Sequence, residues 1–178
     1  MAAWKSRGLR GSELEEEINM TNEQYREHGL ALVQKIPTPI TPVNRNGWKI
    51  TLAFFEEKST VDYIGVVQGV PVCFDAKECR AKTFPMKNIH EHQVRFMEDF
   101  EKQGGVAFLV IDFTVENVCM YLPFADLKKF CERAKSGGRK SFRLDEMDTA
   151  YRIEKGKGAV VPYLDALKTD LERRADGL

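Results

Sequence analysis

Two aspartates and a lysine have the residue types and spacing to do chemistry together. Asp62 opens one apolar stretch, and Asp75-Ala76-Lys77 lies near the end of the next. If both stretches are strands, period-two alternation sends Asp75 and Lys77 to one side and Ala76 to the other. Two carboxylates on neighbouring strands make a hard oxygen site suited to magnesium, which prefers oxygen ligands and keeps several waters for a substrate phosphate. An ion so placed lowers the pKa of bound water and neutralises charge building on a transferring phosphate, while the ammonium can touch the attacking water or the phosphorane oxygens. Phosphodiester hydrolysis requires these elements. The same spacing also fits a plainer arrangement, with Asp62 at a strand entry and Asp75 and Lys77 as a surface ion pair on an edge strand.

The elements that would position these groups are legible on both sides. Asp62 to Val67, the turn Gln68-Gly69 and Val70 to Lys77 read as a hairpin with strands apolar enough for the centre of a sheet. Asn88, with Glu91 three residues on, predicts the start of a helix whose Val94, Met97 and Phe100 line one side before Gly104-Gly105 ends it. Val106 to Phe113 reads as a buried strand and Val118 to Leu122 as another. Phe124 to Lys135 reads as an amphipathic basic helix, and Tyr163 to Arg173 as a last helix. Upstream, Ser12-Glu13-Leu14-Glu15 is a capping box that opens a helix over 12–28, with acids at the positive end of its dipole. Leu30 to Ile36 alternates weakly, and Pro37, Pro39 and Pro42 remove amide donors, which predicts an extended arm. Asn46-Gly47 is a hairpin turn followed by strand formers, so a projecting hairpin is expected at 43–55. The pattern predicts a mixed α/β domain over 12–173, with a flexible basic arm at 1–11 and a short tail at 174–178.

Composition narrows the class. The chain has 178 residues, 43% apolar and 30% charged, which matches an ordinary folded domain. Acidic and basic residues cancel at 27 each, which argues against a polycation. The neutrality is an average over unlike segments: Lys128, Lys129, Arg133, Lys135, Arg139, Lys140 and Arg143 face only Glu132, while the stretch from Asp145 onward is acid-rich. Flexible Gly137-Gly138 beside Arg139 and Lys140 would let amides and two cations approach a phosphate, and Arg80, Lys82 and Lys87 continue a positive rim after the carboxylates. Apolar runs such as Val106 to Ile111 are far shorter than the roughly 18 to 20 residues of a membrane span. The N-terminus lacks the apolar segment of a secretory signal, so a cytoplasmic location is expected, with Cys73, Cys79, Cys119 and Cys131 as reduced, mostly buried thiols. His90 and His92 do not suggest zinc, because helix positions i and i+2 diverge by about 200 degrees.

The run "STVDYIGVVQGVPVCFDAKECRAKTFPMKNIHEHQ", from Ser59 through Gln93, resembles the core of the RecU-type Holliday junction resolvases of the PD-(D/E)xK nuclease superfamily. The likeness continues through "EKQGGVAFLVIDF" and the "SGGRKS" loop and, more loosely, upstream through "EEEINMTNEQYREHG" and "KIPTPI". It implies a restriction-endonuclease-like fold and a homodimer that binds four-way DNA junctions and nicks two strands symmetrically with Mg2+ or Mn2+, with a recombinase as a further partner. It also implies roles: Asp62 and Asp75 as metal carboxylates, Lys77 as the catalytic lysine, Thr60 and Gln93 as additional metal-site positions, and the hairpin, about 37–58 in all, as a stalk that enters the junction centre. There are two departures. The second acid, commonly glutamate in the family, is Asp75 here, one methylene shorter, and the stalk segment is short. The reading from another class is a non-catalytic junction-binding or recombinase-modulating protein that retains the nuclease fold.

Overall fold

Alternating apolar segments and helix-period segments of this kind can bury both faces of a sheet only by placing helices on each side. The computed structural model, which describes residues 13–37, 40–55 and 60–177, has that arrangement. In chain order the elements are α1 (Glu13–Glu27), β1 (Leu32–Lys35), β2 (Ile40–Asn46), β3 (Lys49–Phe55), β4 (Tyr63–Val67), β5 (Val70–Cys79) and β6 (Thr83–Pro85). They continue with α2 (Glu91–Lys102), β7 (Val106–Phe113), β8 (Val118–Pro123), α3 (Phe124–Lys135), β9 (Ser141–Arg143), β10 (Arg152–Ile153) and α4 (Tyr163–Ala175).

The central sheet has strand order β1-β4-β5-β7-β8-β10. Its one parallel pair, β5 with β7, is joined through α2, as a parallel connection requires. The remaining pairs are antiparallel. Side-chain alternation divides the core in two. Val72, Phe74 and Ala76 of β5 join α1 and α4 residues such as Leu14, Ile18, Tyr163 and Leu167. Cys73 and Cys79 of the same strand join Met97 of α2 and Phe124 and Leu127 of α3. Asp75 and Lys77 share the parity of Cys73 and Cys79, so they belong to the α2/α3 face. No helix among the described residues is long and apolar enough to cross a membrane.

The hairpin at Gln68-Gly69 forms as expected, with positive φ at both residues (47° and 91°) in the manner of a primed turn. The hairpin of β2 and β3 forms as a two-stranded sheet separate from the central one; its turn is Gly47-Trp48 and not the expected Asn46-Gly47, because Asn46 pairs with Lys49, and Trp48 in that turn is fully exposed. Three further expectations need correction. Leu30–Ile36 is not simply an arm: Leu32–Lys35 pairs with β4 as the sheet's edge strand, and the prolines only end it. The second helix begins at Glu91 with His90 as N-cap, because Met86–Asn88 is taken up by a 3-10 turn. The last helix continues two residues past Arg173, to Ala175. The N-terminal arm and Ser12, the expected cap of α1, lie outside the described residues.

Gly65 shows how closely the edge strand is held. A Cβ built there would lie 2.2 Å from the Leu32 carbonyl oxygen and 2.5 Å from the Val33 Cα, both backbone atoms that cannot rotate away. Gly65→Ala is therefore expected to lower stability by about 1–3 kcal/mol, the cost of overpacking, in urea denaturation. A neutral result would mean that β1 can be displaced freely.

Candidate active site

Asp62 precedes β4 by one residue and Asp75 is the sixth residue of β5. The register that pairs Tyr63 with Phe74 therefore sets the two carboxylates side by side. Each is fixed by a backbone amide of the other's strand. The Asp62 N–H donates to Asp75 Oδ1 at 2.7 Å, and the Ala76 N–H donates to Asp62 Oδ2 at 3.1 Å. The Lys77 ammonium stands 3.2 Å from Asp75 Oδ2. Asp75 is fully buried while Lys77 keeps 17% of its side chain exposed, so the cation forms the rim and the acid the floor. The central placement excludes the plainer alternative of a surface ion pair, because β5 lies between β4 and β7.

The electrostatics are those of a strained acid pair. Burial, and after it the charge of Asp75, raise the Asp62 carboxyl to about 6 against the downward pull of Lys77 and the Ala76 amide. Burial also raises Asp75, with Lys77 and the contacts from Asp62 opposing. Two carboxylates this close disfavour double ionisation unless a cation joins them. Among the described residues Asp75 Oδ2 is buried and accepts no hydrogen bond, and the Lys77 ammonium stands 3.2 Å from it. That oxygen, with the carboxylate beside it, suits a hard divalent cation. Among the described residues no group of three or more His, Cys, Asp or Glu side chains forms a closed metal cage. A donor set of two carboxylates is the kind that magnesium completes with water and substrate phosphate.

The other expected site positions are less alike. Thr60 lies two residues before Asp62 and is half-buried. Gln93 is buried in the first turn of α2, on the helix layer over the same sheet face, and its Oε1 accepts the His90 N–H at 3.1 Å. Its visible role is a helix cap, in place of the Asn88 and Glu91 pair that the sequence suggested. Because His90 is the N-cap and not a helical residue, the two histidine rings do not diverge; they stack at 5.4 Å with 6° between planes. Sequence reasoning missed Glu15 and Lys35. Glu15 of α1 adds its charge to the field on Asp62 and pairs with Lys35, and the Ile36 N–H donates to the Asp62 carbonyl at 2.8 Å. Nothing in the spacing of 15, 35 and 62 could have shown this, since the edge strand brings them together.

The expected basic rim is assembled by β6 and β9, which pair Thr83 with Arg143 and Pro85 with Ser141. The Met86 N–H donates to the Lys140 carbonyl at 3.1 Å, so Lys87 and Lys140 flank one ribbon. Arg80, Lys87 and Lys140 are exposed and form no ion pair among the described residues, whereas Lys82 pairs with Glu116 at 3.4 Å. The glycines of this loop form the C-terminal cap of α3. Gly137 ends α3 at φ +84°, and the Gly138 N–H donates to the Arg133 carbonyl at 2.9 Å. A Cβ at Gly138 would lie 2.8 Å from that same carbonyl oxygen.

The raised Asp62 carboxyl makes a stability test possible. The folded state binds the Asp62 proton more tightly than the unfolded chain, whose carboxyl titrates near 3.8. Its stabilising contribution is therefore full below about pH 4 and is lost as pH rises through about 6. In metal-free buffer Asp62→Asn is expected to be more stable than the parent at pH 7 to 8, on the order of 1–3 kcal/mol after allowance for solvent screening. The difference should close near pH 4, as followed by denaturant unfolding. Lower stability of the Asp62→Asn variant at neutral pH would show that the pair is not strained.

The chain is similar to proteins of one family. The chain matches the family model described as RecU, Recombination protein U, over residues 9–169. Among curated proteins, one named Holliday junction resolvase RecU from Pediococcus pentosaceus is 41% identical over 93% of this chain and 86% of its own length. Another of that name from Geobacillus sp. (strain WCH70) is 44% identical over 79% of this chain and 73% of its own. A solved structure of Archaeoglobus fulgidus Hjc, a Holliday junction resolvase, overlays loosely, with a TM-score of 0.42 and 9% identity over 65% of this chain and 78% of that one. With nearly the whole chain matched by one family model and by relatives about 40% identical, this protein belongs to the RecU family.

Proposed function

We propose that this chain is a Holliday junction resolvase: a divalent-metal-dependent endonuclease that introduces paired, symmetric nicks in four-way DNA junctions during recombination and repair. The observation that carries the reading is the acid pair. Asp62 and Asp75 are locked by reciprocal backbone hydrogen bonds, one buried carboxylate oxygen accepts no hydrogen bond, and Lys77 stands at the rim. The names of the relatives supply the substrate.

In this reading Asp62 and Asp75 hold the metal, with Thr60 and Gln93 as further positions around it. Mg2+ is the expected ion, and Mn2+ is accepted by the same oxygen donors. When bound, the ion supplies a more acidic water and neutralises charge on the scissile phosphate. Asp75, without solvent contact, serves as the fixed anchor, while Asp62, half-buried, faces the side from which substrate comes. Lys77 reaches the same edge and places its ammonium where it can orient the attacking water or take charge from the phosphorane oxygens.

Backbone binding falls to Arg80, Lys82, Lys87, Arg139 and Lys140, which the β6–β9 ribbon gathers on two neighbouring loops. The hairpin of β2 and β3 carries Arg45 and Lys49 and no acid, a charge suited to a polyanion. Its exposed Trp48 offers a stacking surface to bases unstacked at a branch point. Paired nicks on two strands call for two such sites, hence a homodimer, and a DNA enzyme of this kind works in the cytoplasm.

Asp62→Asn, Asp75→Asn and Lys77→Ala are each expected to abolish nicking of a synthetic junction in Mg2+, while the junction is still retained in a gel shift. Full activity in any of the three would remove that residue from the mechanism. Trp48→Ala is expected to leave folding unchanged and to narrow the preference for a junction over linear duplex. An unchanged preference, measured by competition, would take the hairpin tip out of branch recognition.

A further inference from the structure

Glu146 is the acid on which the basic loop converges. It closes the 3-10 turn Leu144–Glu146, and its two oxygens face different partners. Oε1 accepts from Arg133 Nη1 at 2.6 Å. Oε2 accepts from Arg139 Nη2 at 2.5 Å and from the Arg143 backbone N–H at 2.8 Å. These hydrogen bonds, that from Arg133 above all, hold its carboxyl below the usual range, so the charge is permanent near neutral pH.

The two arginines are held unequally. Arg133 also donates from Nη2 to the Ser141 carbonyl at 2.6 Å, and its guanidinium lies over the Phe130 ring at 5.1 Å. That ring in turn stacks on Phe142 at 4.5 Å. Removing Arg133 would disturb the join between α3 and β9. Arg139 has Glu146 as its sole hydrogen-bond or ion-pair partner among the described residues and keeps 47% of its side chain exposed. It stands between Gly138 and Lys140, at the tip of the loop assigned above to phosphate contacts.

We propose, resting on the DNA-binding reading above, that Glu146 is an internal competitor for Arg139: it sheathes the guanidinium in the free protein and yields it to a DNA phosphate. Arg133 and the Arg143 amide stay behind, so the carboxylate is never left bare when Arg139 departs. The exchange trades one charged partner for another without moving a proton. Arg139 can turn both guanidinium nitrogens to a phosphate, a geometry that favours phosphate over the single contact it has with Glu146. Glu146 is thus a positioning residue that holds down backbone affinity for DNA of every shape.

The test is a double-mutant cycle on the full chain, with binding to a labelled four-way junction and to linear duplex measured in EDTA so that no cleavage occurs. Glu146→Gln, which keeps the shape and an acceptor for Arg133, is expected to tighten binding to both DNAs by about two- to fivefold, the range of one exposed ion pair. Glu146→Asp, which keeps the charge, should bind like the parent. Arg139→Ala should weaken binding and reduce the salt slope by about one. Glu146→Gln added to Arg139→Ala should then give no gain. A gain that survives Arg139→Ala would reflect the loss of a negative charge from the surface in general and would overturn the proposal, as would an unchanged or weakened single Glu146→Gln variant that is folded. Should that variant not fold, the parent protein labelled with nitrogen-15 serves instead. The Arg139 guanidinium resonance should shift on adding duplex while that of Arg133 stays, and the reverse would sink the exchange. A parent chain that binds neither DNA would overturn the functional reading itself, an outcome separate from these.

Discussion

The arrangement depends on two carboxylates being forced together where neither is fully solvated. Asp75 is buried at the centre of a sheet and Asp62 at the entry of the next strand. Each is held by an amide of the other's strand, so the pair cannot separate without breaking β4 from β5. Burial raises both, the charge of Asp75 raises Asp62 as well, and Lys77 pulls against them. Such a pair is poor stability design and good site design. The chain tolerates the repulsion because the surrounding strands over-determine the geometry, and a divalent cation would relieve it.

The sheet that imposes this strain is itself anchored from both sides. On one face α1 and α4 cover a stack of aromatic rings, Tyr63 on Phe74 at 4.8 Å and Phe74 on Phe108 at 4.6 Å. These residues alternate with the acid-bearing positions, so packing one face rigidly orients the other. A partly buried network of Tyr121, Asp170, Arg174 and Glu101 ties α4 to the start of β7 through Tyr121 to Asp170 at 2.6 Å and Glu101 to the Ala107 amide at 3.1 Å. Every charge in that network has a partner, as burial requires. It serves the scaffold, in contrast to Asp75, whose second oxygen is left for something else.

Beyond the carboxylates, the surface divides its labour between a fixed basic ribbon and a separate hairpin. The acid-rich stretch that follows the basic segment in the chain folds back on it and neutralises part of its charge. Glu146 takes Arg133 and Arg139, and Asp145 takes Arg143. Among the described residues Arg80, Lys87 and Lys140 are exposed and form no ion pair.

The sequence by itself determined the strand pair that carries Asp62, Asp75 and Lys77, because period-two alternation and a Gln-Gly turn are local properties that leave one register. It also determined α3, β7 and the separate hairpin closely, and the family likeness named the chemistry. Tertiary structure alone decided the rest. Leu32–Lys35 became an edge strand because β4 had an unpaired side to fill, which overrode its weak pattern. Glu15 met Lys35 and brought its charge to Asp62 across that same edge, Gly137 and Gly138 turned out to be a helix terminus, and Arg139 met its acid across a turn. Each of these is a meeting of groups distant in the chain or set by loop geometry. Such meetings depend on which surfaces are left unpaired once the core has formed, and no local pattern encodes that.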